Sequence, residues 1–186
     1  MKVKIQDKEL ELNAPVTVYD AAREAELITR AVIGAEIGGK TVALTQELCD
    51  GDEVKLLTFA DAAGKHLFRH TASHILAQAV KRLYPAAKLT IGPAVENGFY
   101  YDIDSDVSFT AEALKAIEGE MKKIVKENLK IERFELPRAE AIALMQEKDE
   151  PYKVQLIEEL PEDAVISFYR QGEFVDLCAG PHLFST

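Results

Sequence analysis

Hydrophobic and polar positions alternate at the start of the chain. Val3 and Ile5, then Leu10 and Leu12, fall on one side of two short runs, with Gln6-Asp7-Lys8 near the turn. A period of two means strands with one buried face, so the pattern predicts a hairpin. The period then lengthens. Val18, Ala21, Ala22 and Ala25 share one face of a helix over about 18–26, which Thr17 can cap. Short strands follow over about 31–37, 41–44 and 53–58, punctuated by Gly38-Gly39 and Asp50-Gly51.

Two strands, a helix and further strands in so few residues outline a β-grasp, ubiquitin-like module. Residues 59–65, rich in small side chains, read as a short linker. From 66 a helical period runs to 84 and stops before Pro85. Residues 88–91 and 98–103 are strand-like. Thr110 caps a long helix to about 129, with Glu and Lys on its outer face. A strand over 130–136 precedes helices over 138–148 and 151–160, the second with Pro151 in its first turn. Residues 165–169 and 174–177 make a hairpin around Gln171-Gly172. The expected class is α+β: a β-grasp domain over 1–62, then a domain over 63–186 with a mainly antiparallel sheet and packed helices. The chain ends on an apolar loop, which reads as a truncation.

Composition narrows the function. The 186 residues suit one large or two small domains. A hydrophobic share of 47% supports a core, and no run approaches a membrane span or a signal region. Twenty-two basic against 32 acidic residues give a net charge of −10, which argues against a free-standing nucleic-acid clamp. Cys49 and Cys178 form no CxxC pair, so a reduced, cytosolic protein is expected, with one buried thiol and one near an active centre.

The candidate chemistry is concentrated. His70 and His74 stand four apart on the predicted helix, on one face. Cys178 and His182 stand four apart on a Gly-Pro loop. The four are sufficient donors for tetrahedral zinc, and equally suit a metal-free proton-transfer centre. The HExxH glutamate of zinc proteases is missing. Between the pairs, Gly92-Pro93 allows a tight turn and close backbone approach by a ligand, and Asn97-Gly98 is a turn signal. Taken singly, Lys153 reads as a surface amine and Tyr101 as a packed aromatic.

HTASH at 70, IGPAVENGFYYDID at 91, YKVQLI at 152 and DLCAGPH at 176 resemble the bacterial-type threonyl-tRNA synthetases, in order and in spacing. The resemblance covers essentially the whole chain and implies a TGS domain followed by an editing domain. It implies hydrolysis of mischarged Ser-tRNA(Thr) to serine and tRNA(Thr), since one methyl supplies only ~1–3 kcal/mol of discrimination in a threonine pocket. Carried over by position, the catalytic candidates are His70, His74, Lys153, Cys178 and His182, and the substrate-binding ones Gly92, Tyr101 and Asp176. His70 would accept the proton of water, Lys153 would steady the oxyanion or the terminal ribose, and Asp176 would meet the substrate ammonium. Cys178 and His182 would shape the amino-acid pocket. No metal is expected to be required; zinc, if bound, would take His70, His74, Cys178 and His182. ATP, Mg and Zn are expected only for a synthetic core, whose class II signatures are absent from these residues. The implied partners are the acceptor end of tRNA(Thr) carrying serine and the rest of a homodimeric synthetase, in the cytoplasm and away from membranes. The family's usual Arg in DLCRGPH is Ala179 here, which removes a positive charge from the loop. Two other readings are a non-catalytic, regulatory or tRNA-binding TGS module and a stand-alone trans-editing factor.

Overall fold

The computed structural model describes residues 1–13 and 15–186, and its class is α+β. Contacts divide the chain into two compact units: Met1–Arg69 with Pro181–Phe184, and His70–Gly180 with Ser185–Thr186.

In the first unit β1 (Lys2–Ile5) and β2 (Lys8–Glu11) pair as a hairpin. Helix α1 (Val18–Glu24) follows, with the Thr17 hydroxyl accepting from the Asp20 amide at 3.1 Å. It ends near Glu26, whose φ of 59° turns the chain out of the helix. Strands β3 (Val32–Ile37), β4 (Lys40–Val42) and β5 (Glu53–Thr58) complete a sheet of order β2-β1-β5-β3-β4. The β1–β5 pair is parallel and the others antiparallel. Ile5, Val18, Ala21, Ala22 and Ala35 are fully buried, so the helix packs small residues onto the alternating inner face of the sheet.

Two expectations are corrected here. Cys49 is exposed rather than buried: its neighbour Leu48 takes the inward position, and the Cys49 amide donates to Asp52 Oδ2 at 2.7 Å in the turn. Residues 62–65 belong to helix α2 (Ala62–Leu83), not to a linker. Asp61 Oδ2 accepts from the Thr58 amide and hydroxyl at 2.8 and 3.0 Å, turning the chain into the helix. A side chain on Gly64 would overlap the Thr58 carbonyl, so the small residues serve close packing there.

The second unit takes α2 from His70 onward. Strands β6 (Lys88–Leu89), β7 (Ala94–Val95), β8 (Gly98–Phe99) and β9 (Ile103–Asp104) form two small ladders, β6–β9 and β7–β8. The single strand expected over 98–103 is thus two, because the chain turns Tyr101 inward between them. Helix α3 (Ala111–Glu127) is capped by Thr110 and closed by Asn128 in the left-handed region. Strand β10 (Ile131–Glu135), helices α4 (Arg138–Glu147) and α5 (Pro151–Glu159), and strands β11 (Ser167–Gln171) and β12 (Phe174–Leu177) complete it. β10-β11-β12 is an antiparallel sheet. Phe168, Ala141, Met145 and Ile157 bury its contact with α4 and α5, while Ile75, Val80, Ile117 and Ile124 join α2 to α3.

Candidate active site

Strand alternation supplies the anchor of the site. On β12, Phe174 and Asp176 face inward while Val175 and Leu177 are half-buried. A carboxylate is costly to bury unless paired, and Asp176, 2% exposed, is surrounded by partners. Its Oδ1 lies 2.7 Å from Lys153 Nζ, and its Oδ2 accepts from Tyr101 Oη at 2.7 Å. Lys153 Nζ also donates to Tyr101 Oη at 3.2 Å. Lys153 sits in the first turn of α5 on the face shared with Ile157, four residues on, so a residue that reads as a surface amine is 3% exposed. Burial and the Asp176 charge hold the Tyr101 phenol well above its usual range, so it stays protonated and donates.

Helix α2 supplies the imidazoles. The His70 and His74 rings meet edge to face with centroids 5.3 Å apart. His74 Nε2 is 3.7 Å from Asp176 Oδ2, too far for a hydrogen bond. Burial first, then the nearby His70 and Lys153, push its pKa well below the usual 6.5, so His74 is neutral despite the carboxylate. Phe174 packs edge-on to it at 6.2 Å.

Cys178 follows β12 directly. Its amide donates to the Ser167 carbonyl at 3.0 Å, and its carbonyl accepts from Ser167 Oγ at 2.7 Å. Its Sγ is 3.3 Å from His70 Nε2 and accepts from the Gly180 amide at 3.3 Å. Burial pushes the thiol up to about 12, against a smaller opposing pull from the Gly180 amide. A thiol that keeps its proton is the donor toward His70 Nε2, which leaves that imidazole's proton on Nδ1. Gly180 has a φ of +72°, and a side chain on it would run into the Tyr169 ring. The Gly-Pro loop is therefore shaped by an aromatic of β11.

Gly92 has an equally concrete requirement. A Cβ there would overlap the Tyr101 ring, so the glycine makes room for the phenol that reaches Asp176. Its carbonyl accepts from Ser73 Oγ at 2.7 Å, and the same hydroxyl reaches the His70 carbonyl at 2.8 Å. His182, 1% exposed, clusters with the first unit.

The structure thus brings together His70, His74, Gly92, Tyr101, Lys153, Asp176 and Cys178. Sequence reasoning missed Ser73, taken as a mild variation, and the buried Gln78, Gln171 and Glu150. Glu150 Oε2 accepts from the Leu89 amide at 2.8 Å and its Oε1 pairs with Lys81 at 2.7 Å, tying down the turn that starts α5. Single glutamines and glutamates carry no motif signal, and only their partners reveal them. One ligand atom from each of His70, His74 and Cys178 lies within 4.8 Å of the others, and two imidazoles with a thiol are a donor set that fits zinc.

No family model matches the chain. It is 55% identical to a threonine–tRNA ligase of Clostridium kluyveri and 58% identical to one of Clostridium acetobutylicum, in each case over all of this chain and 30% of the relative. The threonine–tRNA ligase of Clostridium tetani is 58% identical over 96% of this chain and 28% of its own length. The chain therefore spans under a third of the length of these relatives, and along all of that span it is similar in sequence to threonine–tRNA ligases.

Proposed function

We propose that this chain is the editing portion of a threonine–tRNA ligase and hydrolyses the ester of Ser-tRNA(Thr) to serine and tRNA(Thr). The observation that carries it is the buried Lys153–Asp176–Tyr101 cluster beside the His70–Cys178 contact. Packing gives no reason to bury so many proton-transfer groups together, and such clusters mark reacting centres. The similarity to threonine–tRNA ligases supplies the substrate class. Attachment of threonine belongs to sequence that these relatives have and this chain does not span.

In this reading His70 accepts the proton of the attacking water through a nitrogen that the thiol of Cys178 holds as an acceptor. Lys153, kept in place by Asp176, stabilises the oxyanion or the ribose of the terminal adenosine. Both oxygens of Asp176 are already engaged, so a substrate ammonium would replace one of those contacts. Gly92 and the Tyr101 ring wall the amino-acid pocket, and crowding there rejects the extra methyl of threonine. Zinc, when bound, would be held by His70, His74, Cys178 and His182 and would supply an acidified water. We propose that editing proceeds without it. The five-stranded sheet with its helix is a TGS β-grasp domain over 1–62, and 63–186 form the editing domain. The substrate is presented by the remainder of a homodimeric, cytoplasmic ligase.

The test is release of serine from Ser-tRNA(Thr) against release of threonine from Thr-tRNA(Thr), each with and without chelator. The chain is expected to hydrolyse the seryl ester preferentially and with chelator present. His70→Ala should slow it about 10²-fold. A folded chain that releases no serine at high concentration overturns the proposal in favour of a non-catalytic module. Chelator-sensitive activity with one zinc per chain overturns the metal-free step alone.

A further inference from the structure

His70, His74, Gln78 and Arg82 recur every four residues along α2 and form one slowly winding row. Each meets the hairpin β11–β12 in turn. His70 meets Cys178, and His74 lies against Asp176 and Phe174. Gln78 Nε2 donates to the Gln171 carbonyl at 3.3 Å and to Glu173 Oε1 at 2.9 Å, while Gln171 Nε2 donates back to Gln78 Oε1 at 2.8 Å. Arg82 Nε reaches Glu173 Oε1 at 2.6 Å. The spacing is commensurate. Four residues of helix rise about 6 Å and two residues of strand about 6.7 Å. Residues 70 and 74 thus step along with 178 and 176 in the antiparallel sense. Slipping the helix by one turn would set His74 opposite Cys178 and leave Asp176 facing Gln78.

Apolar contacts do not forbid such a slip, because small residues such as Ala77 and Ala79 pack nearly as well one turn on. The reciprocal amide pair does forbid it. Gln78 and Gln171 are each 1% exposed, and a slip would strand both amides in the interior. We propose that Gln78, Gln171 and the Arg82–Glu173 pair are positioning residues that set the register in which α2 presents His70 and His74 to Cys178 and Asp176. The kinetic part of this proposal rests on the editing reading, while the register itself does not.

The test uses the full chain carrying Q78L and Q171L together. Removing both partners at once leaves no orphaned amide, so the fold should survive. The imidazole NMR signals of His70 and His74 are expected to shift or broaden. Turnover of Ser-tRNA(Thr) should fall about tenfold with KM changed by less than about twofold, since misplacement costs the chemical step more than binding. Unaltered imidazole signals in a folded double variant overturn the proposal. Should that variant not fold, E173A, at an exposed turn, decides in its place by moving the same signals or leaving them. A wild-type chain that releases no serine sinks the editing reading, and the imidazole signals alone then decide the register.

Discussion

A glycine and a histidine carry much of the site's geometry. Gly92 borders the Tyr101 ring so closely that one methyl group would displace it. Gly92→Ala is expected to cost about 1–3 kcal/mol by overpacking and to break the Tyr101–Asp176 hydrogen bond. Denaturant melts and seryl ester hydrolysis should both register it, and wild-type stability would mean that the ring has another place to go. His74 makes a pH prediction. An unfolded imidazole takes a proton near 6.5, and the folded one does so only well below that. Between the two the unfolded state binds more protons, so this contribution is complete above 6.5 and is lost as pH falls through the folded value. The slope is at most about 1.4 kcal/mol per pH unit. Comparing wild type with His74→Gln between pH 4 and 7, chelator present, should show a flatter curve for the variant. At this scale the histidines and the cysteine were readable from spacing. The burial of Lys153 was not, because it follows from a carboxylate 23 positions away in sequence, on another element.

Elements followed local rules wherever local rules decide. Thr17 and Thr110 cap their helices, and Pro137 and Pro151 stand where helices begin. The misreadings lie where tertiary contact overrides pattern: Gly64 inside α2, and the run 98–103 broken to deliver Tyr101. Arg82 links three elements in a way that no local rule announces. Its guanidinium meets Glu120 at 3.2 Å and Glu127 at 2.7 Å on α3, and Glu173 at 2.6 Å in the turn before β12. That pairing holds Glu173 down at about 2. Glu127 and Glu173 are more than a third exposed, so water and salt weaken those two arms. Arg82→Ala is expected to destabilise the chain by only about 1–2 kcal/mol. Part of that loss should vanish when wild type and variant are compared at 1 M salt. A loss unaffected by salt would mean that the aliphatic stem, not the charge, does the holding.

The charge of −10 bears on the molecule as a whole. Cations on the sheet of the first unit stand opposite anions: Lys2 faces Glu11, Lys4 faces Glu9 and Glu53, and Lys55 faces Glu36. Such cross-strand pairs neutralise the sheet locally and leave little positive field for a phosphate backbone. In the second unit Lys153 is taken up by Asp176, Lys81 by Glu150, and Arg82 by its three glutamates. A protein that grips RNA releases counterions in proportion to the phosphates it neutralises, so the salt dependence of binding counts those contacts. For this chain alone, a plot of log affinity for tRNA(Thr) against log salt is expected to have a slope of about −1 to −2, with affinity no tighter than about 10⁻⁵ M. Filter binding or anisotropy across 50–300 mM salt measures both. A slope steeper than about −4 would require a basic surface that these pairings do not leave, and would make the chain a tRNA-binding module in its own right. A shallow slope together with seryl ester hydrolysis means that the site reads only the acylated end. Affinity then has to come from the rest of a longer ligase, and turnover by the isolated chain should rise in proportion to tRNA concentration without saturating.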